Sequence, residues 1–242
     1  MPKITKKKLV EVCFSPNLYS LHKGEAEIVV VIDVLRATSA ICTAFHYGVK
    51  SIIPISTLEE AFSYKKKGFL VAAERDGHIV EGFKFGNSPH AYMTPEIKGK
   101  TIVMTTTNGT KTINVAKDAG KVVIGSFLNM NALGEYLIKQ NKNTLLLCSG
   151  WKNKFNLEDS ICAGAIADQL HTSLKFESHE DASVAAKYLF HSARENYMKF
   201  LKASSHRRRL KHLNLNEDIK YCLTPNQTNV VPVLKGDKLV KA

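Results

Sequence analysis

Residues 28–32 read IVVVI, five β-branched apolar residues in succession. Such a run is too short for a helix and apolar on both faces, which marks a strand buried in the middle of a sheet. It ends on Asp33, with Arg36 three residues later, and Thr38 and Ser39 are placed to cap an amphipathic helix running to about Gly48. A carboxylate, a guanidinium and a helix N-terminus thus reach one end of a buried strand together. In open α/β sheets that edge is where ligands bind.

The pattern recurs, and the recurrence fixes the fold class. Apolar runs at 9–14, 52–55, 70–73, 102–104, 122–124 and 144–148 are expected as strands. Between them lie helical stretches. One is opened by a capping box of Ser56 and Glu59 and closed by Gly68; others run to about Ala119 and from near Asn129 to Gln140. Strand and helix alternating over some 170 residues predict a three-layer α/β/α arrangement around a mostly parallel or mixed central sheet. Beyond Leu157 the reading turns helical, over 157–170, 181–190, 195–213 with a break near Ser204, and 217–223. A turn at Gly236-Asp237 between apolar runs predicts a terminal hairpin. The chain reads as one α/β domain over 1–242, with 150 as the place where a subdivision would fall.

Composition removes several classes. No apolar run approaches the eighteen or so residues of a membrane span. The basic stretch at 1–14 has neither a long apolar segment nor a small-residue cleavage site, so it is not read as a secretory leader. Five cysteines without paired spacing argue for a reducing cytoplasm, and against a disulfide frame or a zinc site. The formal charge of +12 points to anionic partners. Its basic clusters, Lys6 to Lys8, Lys65 to Lys67 and Arg207 to Arg209, are dispersed and not interleaved with aromatics, so a small anionic substrate is favoured over nucleic acid. A homodimer is the expectation from the commonness of twofold assemblies.

The residues after the strands are repeatedly polar or glycine, which gathers Asp33, Glu74, Arg75, Thr107, Asn108 and Ser149 at one sheet edge. Asp33 with Arg36 reads equally as a metal or acid–base group beside a phosphate-binding arginine, or as a structural ion pair. Thr105 to Thr110 is more polar than a turn requires and suits an oxyanion cradle, although it lacks the ending of a Walker A loop. Glu158 and Asp159 open a helix, where the macrodipole favours acids, yet two adjacent carboxylates also suit a divalent cation. Asn87 sits in the glycine-rich loop at 77–89, and loops often carry function. The segment Ser204 to Arg209 is read as a basic helix start rather than a second anion contact. Cys148 lacks the arginine six residues on that a cysteine phosphatase loop needs, since Lys154 stands there, so all five cysteines are expected to be structural.

Taken together, DVLRATSAI, AAERDG with EGFKFGNSP, TTTNGT, GSFLN, CSGW and LEDSICAGA resemble the 2-phosphosulfolactate phosphatase family, in order and over nearly the whole chain. The resemblance implies a Mg²⁺-dependent phosphatase that converts 2-phospho-3-sulfolactate to 3-sulfolactate and phosphate, on a route to coenzyme M. It implies Asp33, Arg36, Glu74 and Arg75 as catalytic residues, and Asn87, Thr107, Asn108, Gly109, Ser149 and Gly150 as substrate-binding ones. Asp33, Glu158 and Asp159 are implied as the metal set. Two departures, Arg207 where relatives carry glycine and a more basic stretch at 152–155, bear on the non-phosphate end of the substrate. Water attack is expected over an aspartyl-phosphate route, because the dehalogenase-type phosphatases want a second aspartate where Leu35 stands. Glu74 is expected as general acid or base. The alternatives are the same chemistry on another small anionic phosphoester, or a non-catalytic protein that binds nucleic acid or anions.

Overall fold

The burial of residues 28–32 on both faces is set by what flanks them in the computed structural model, which describes residues 6–242. The first five residues of the N-terminal stretch considered above lie outside the described residues. In chain order the strands are β1 (Lys8–Cys13), β2 (Ile28–Ile32), β3 (Ser51–Pro54), β4 (Leu70–Arg75), β5 (His78–Ile79), β6 (Thr101–Thr105), β7 (Val122–Gly125), β8 (Thr144–Cys148), β9 (Phe176–Glu177), β10 (Pro232–Lys235) and β11 (Lys238–Lys241). The helices are α1 (Ala37–His46), α2 (Leu58–Lys66), α3 (Gly109–Val115), α4 (Met130–Gln140), α5 (Leu157–Thr172), α6 (Asp181–Ala193), α7 (Tyr197–Phe200), α8 (Ser205–His212) and α9 (Asn216–Cys222).

All the strands belong to one mixed sheet, ordered β5-β4-β6-β3-β11-β10-β7-β2-β8-β1-β9. β2 pairs in parallel with β7 on one side and β8 on the other. The period of two then divides its side chains between layers. Val30 and Ile32 pack with Leu133 and Leu137 of α4 and Ile161 and Ile166 of α5. Val29 and Val31 pack with Ile41 and Phe45 of α1 and Ile113 of α3. Helices therefore cover both faces, as the alternation predicts.

The sheet is built from two parallel blocks, β4-β6-β3 and β7-β2-β8-β1-β9. The hairpin expected at the C-terminus forms, but between the blocks rather than at an edge. β11 pairs antiparallel with β3 through Leu239–Ile52, and β10 pairs antiparallel with β7 through Val233–Val123. Three successive antiparallel steps from β3 to β7 make the two blocks run in opposite senses. Each block would otherwise end in an open strand edge, which the hairpin closes.

Two caps differ from expectation by local competition. The box on α2 is formed by Thr57 and Glu60, one residue later than Ser56 and Glu59. Thr38 and Ser39 lie inside α1 and bond backwards, Thr38 Oγ1 accepting from Asp33 N and Ser39 Oγ donating to Val34 O. The 195–213 stretch is broken into α7, a 3₁₀ turn at Leu201–Ala203, and α8, which Ser204 caps by accepting from Arg207 N. No described helix is long and apolar enough to cross a membrane, and all five cysteines are free and buried.

Candidate active site

The chain after β2 closes on itself before the helix begins. Ala37 N donates to Asp33 Oδ1 at 3.4 Å, and Thr38 N to Asp33 O at 2.9 Å, so the turn at 33–36 caps α1 from within. The Leu35–Arg36 peptide within this turn is cis. These bonds hold Asp33 at the wall of a cavity of about 280 Å³ that it shares with Arg36, Glu74, Asn87, Thr107 and Asn108. The six come from both blocks, so they do not share one edge of a single parallel sheet as the strand ends suggested. They converge because the loops after β2, β4, β6 and β8 meet: Lys152 N donates to Asn108 Oδ1 across the gap. Gly109 stands against Asp33 so closely that a Cβ would lie 2.8 Å from Asp33 Oδ2.

Arg36 is pinned. Its Nη1 donates to Asp218 Oδ2 at 2.5 Å and its Nη2 to the carbonyl of Gly77 at 2.9 Å, leaving a buried Nε without a partner among the described residues. Glu74 has all four acceptor positions filled. Oε1 accepts from Gly77 N and Thr107 Oγ1, and Oε2 from Asn87 Nδ2 and Thr107 N. It ties three loops together. Arg75 lies outside the cavity, for the reason that neighbouring residues of a strand face opposite ways. Its Nη1 donates to the carbonyl of Glu74 and its Nη2 to Thr105 Oγ1.

Beneath the cavity lie the other expected acids. Asp159 is wholly buried, with Oδ1 accepting from Val34 N and Oδ2 from Gly150 N and Asn156 Nδ2. Gly150 takes a left-handed turn in which a Cβ would meet Lys154 O at 2.1 Å. Glu158 is also wholly buried and holds His206, whose Nδ1 lies 2.6 Å from Oε1, while Ser204 Oγ donates to Oε2. Burial opposes ionisation of Glu158, but the His206 hydrogen bond and charge outweigh it and hold the carboxyl below its usual value. Ser149 lines an adjoining hollow with Thr107 and Asn108, and its buried Oγ has no partner among the described residues.

The far wall was not expected. It is made by Trp151, His206 and Arg209, with the Arg209 guanidinium 4.2 Å from the Trp151 ring centroid and the His206 ring 5.0 Å from it. The segment read as a basic helix start is thus a wall of the site. The signal was present: His206, Arg209, Leu210 and Leu213 fall at i, i+3, i+4 and i+7, one face of a helix, and all four line the cavity. Arg207, noted as a departure, points elsewhere, its Nη1 donating to the carbonyl of Met198. Asp218, the partner of Arg36, had no signal beyond its place in the first turn of α9.

The donors at the cavity suit a small hard cation. Asp33 Oδ2 makes no hydrogen bond among the described residues, and Asn87 Oδ1 is buried and without a partner. Burial and the charge of Asp159 push the Asp33 carboxyl up to about 8, so a cation there would relieve a buried, crowded acid. Mg²⁺ takes one or two protein carboxylates and keeps several waters, which Asp33 can satisfy without Glu158 or Asp159, whose oxygens are already engaged. Among the described residues, three metal-type ligand atoms within 4.8 Å of one another occur at His22, Glu25 and Glu180, away from this cavity.

Residues 13–237 match the family model described as 2-phosphosulpholactate phosphatase. A protein of Caldanaerobacter subterraneus subsp. tengcongensis named "Probable 2-phosphosulfolactate phosphatase" is 43% identical over 212 residues, covering 86% of this chain and 88% of that protein. One of the same name from Thermotoga maritima is 42% identical, covering 87% of this chain and 90% of its own. Another from Clostridium perfringens is 36% identical over 236 residues, covering 95% of each.

Proposed function

Because this chain belongs to the 2-phosphosulpholactate phosphatase family, we propose that it hydrolyses the phosphate monoester of 2-phospho-3-sulfolactate with Mg²⁺, by direct attack of water. One observation carries the reading. A pinned arginine with a free buried N–H and a buried carboxylate with a free oxygen line the same small cavity.

Arg36 neutralises the phosphoryl oxygens, and since Asp218 and Gly77 already fix its guanidinium, it needs no reorganisation as charge develops. Asp33 would hold the metal, which supplies positive charge against the phosphoryl oxygens and orients water. Glu74 keeps Asn87 and Thr107 in place rather than moving a proton itself. The proton for the leaving alkoxide is assigned to the Nε2–H of His206, whose Nδ1 is held by Glu158 and whose Nε2 makes no hydrogen bond among the described residues. As the water oxygen bonds to phosphorus, the ester P–O bond breaks and the Nε2 proton passes to the departing sulfolactate oxygen; a proton of the attacking water, carried on the new phosphate, then returns to Nε2.

The free Asp33 Oδ2 also favours one second reading, attack by Asp33 itself through an aspartyl phosphate. A single turnover in ¹⁸O-water separates the two, since label in the Asp33 carboxylate would rule out direct attack. The function is tested by phosphate release from 2-phospho-3-sulfolactate and other small phosphoesters, with and without Mg²⁺. Release that requires the metal is expected. No release from any ester, together with steeply salt-dependent binding of nucleic acid, would replace the enzyme reading with a binding one.

A further inference from the structure

Resting on that phosphatase reading, we infer that Arg209 selects the substrate, gripping a second oxoanion, the sulfonate, at the end of the molecule away from the reacting phosphate. Among the described residues, the two nitrogens of Arg209 that are buried and without partners are Nε and Nη2. They form one edge of the guanidinium, and their two N–H bonds point the same way, the fork that matches two oxygens of a single oxoanion. In Arg36, by contrast, Asp218 and Gly77 each already take a bond from one terminal nitrogen, and Nε alone among its nitrogens is without a partner among the described residues. The Arg209 guanidinium lies over the Trp151 ring, its Cζ 4.2 Å from the centroid, a contact that restrains the fork before the ligand arrives.

Position separates the two arginines. Arg36 belongs to the same turn as Asp33, which places it with the reacting phosphate. Arg209 enters from α8, on the wall formed with Trp151 and His206. Buried donors without partners are costly to keep, and an oxoanion in the fork satisfies both.

The test compares 2-phospho-3-sulfolactate with 2-phospholactate, which keeps the phosphate and carboxylate and lacks the sulfonate. Each is measured as kcat/KM, or as a competitive inhibition constant where an ester is not turned over. Arg209→Met is expected to lower the value for the sulfonate ester by about 10- to 100-fold, mainly through KM, and to leave that for 2-phospholactate within about threefold. Arg209→Lys should recover only part of the loss, because a point charge does not replace the fork. Equal losses on both esters would overturn the assignment and place Arg209 on the phosphate or carboxylate. Unchanged discrimination in a variant with wild-type Tm would overturn it as well. If the wild type releases phosphate from no ester, it is the phosphatase reading that fails.

Discussion

A methyl group at position 109 would lie 2.8 Å from Asp33 Oδ2 and 2.5 Å from Ala37 Cβ. Gly109→Ala is therefore expected to push the carboxylate off its place. Overpacking of this kind costs about 1–3 kcal/mol by chemical denaturation, whereas displacing a reacting group is expected to lower kcat/KM by about 100-fold. Activity should fall much further than stability. Asp33 also sets a pH dependence. Its carboxyl is raised from 3.8 to about 8, chiefly by burial and then by Asp159, so the folded chain keeps a proton that the unfolded chain gives up. Stability of the metal-free protein should fall as pH rises from about 4 through about 8. Thermal unfolding at pH 5 and pH 8 checks this: Asp33→Asn should weaken the dependence, leaving the part carried by Asp159, whose carboxyl burial and Glu158 also push up to about 8, and Mg²⁺ should raise Tm more at pH 8. At this scale the sequence exposed residues that end strands, such as Asp33, Thr107 and Asn108. It misplaced Arg75, because membership of a strand end does not say which face a side chain takes, and it passed over Arg209, whose neighbours on the helix face are three and four residues apart.

The C-terminal hairpin carries more than a terminus usually does. Leu239 is fully buried and bridges Ile52 of β3, while Val233 bridges Val123 of β7, so these few residues connect the two parallel blocks. Leu239→Ala should cost about 2–5 kcal/mol in urea unfolding, as deletion of a core leucine does, while an exposed hairpin residue such as Lys238 should tolerate alanine with little change. A loss under about 1 kcal/mol at Leu239 would mean the blocks hold together without the hairpin. The hairpin itself was legible from its Gly236-Asp237 turn. Its place was not, because a turn fixes which strands pair with each other and says nothing of what lies beside them. The helices α8 and α9 show the same limit. Their existence follows from local pattern, but that they deliver Arg209 and Asp218 to a site opened by β2 depends on contacts over 170 residues away in the chain.

Across the whole molecule, the alternation of short apolar runs and helices was enough to give three layers, and the opposed sense of the two blocks was hidden in single bridged pairs. The convergence of their loop ends makes one small cavity lined by the acids Asp33, Glu74 and Asp76 and by the basic residues Arg36, Lys152, His206 and Arg209. A volume of about 280 Å³ suits a metabolite, and the mixed lining suits an anion held beside a cation, whereas the formal +12 of the chain is spread elsewhere over the surface. Asp33 is kept buried and crowded for chemistry rather than for stability. The most direct test is phosphate release from 2-phospho-3-sulfolactate by Asp33→Asn and wild type, with Tm measured on both. Asp33→Asn is expected to lower kcat/KM by about 10³-fold or more, with an unchanged or higher Tm at pH 8. A variant that keeps activity within tenfold of wild type would contradict it.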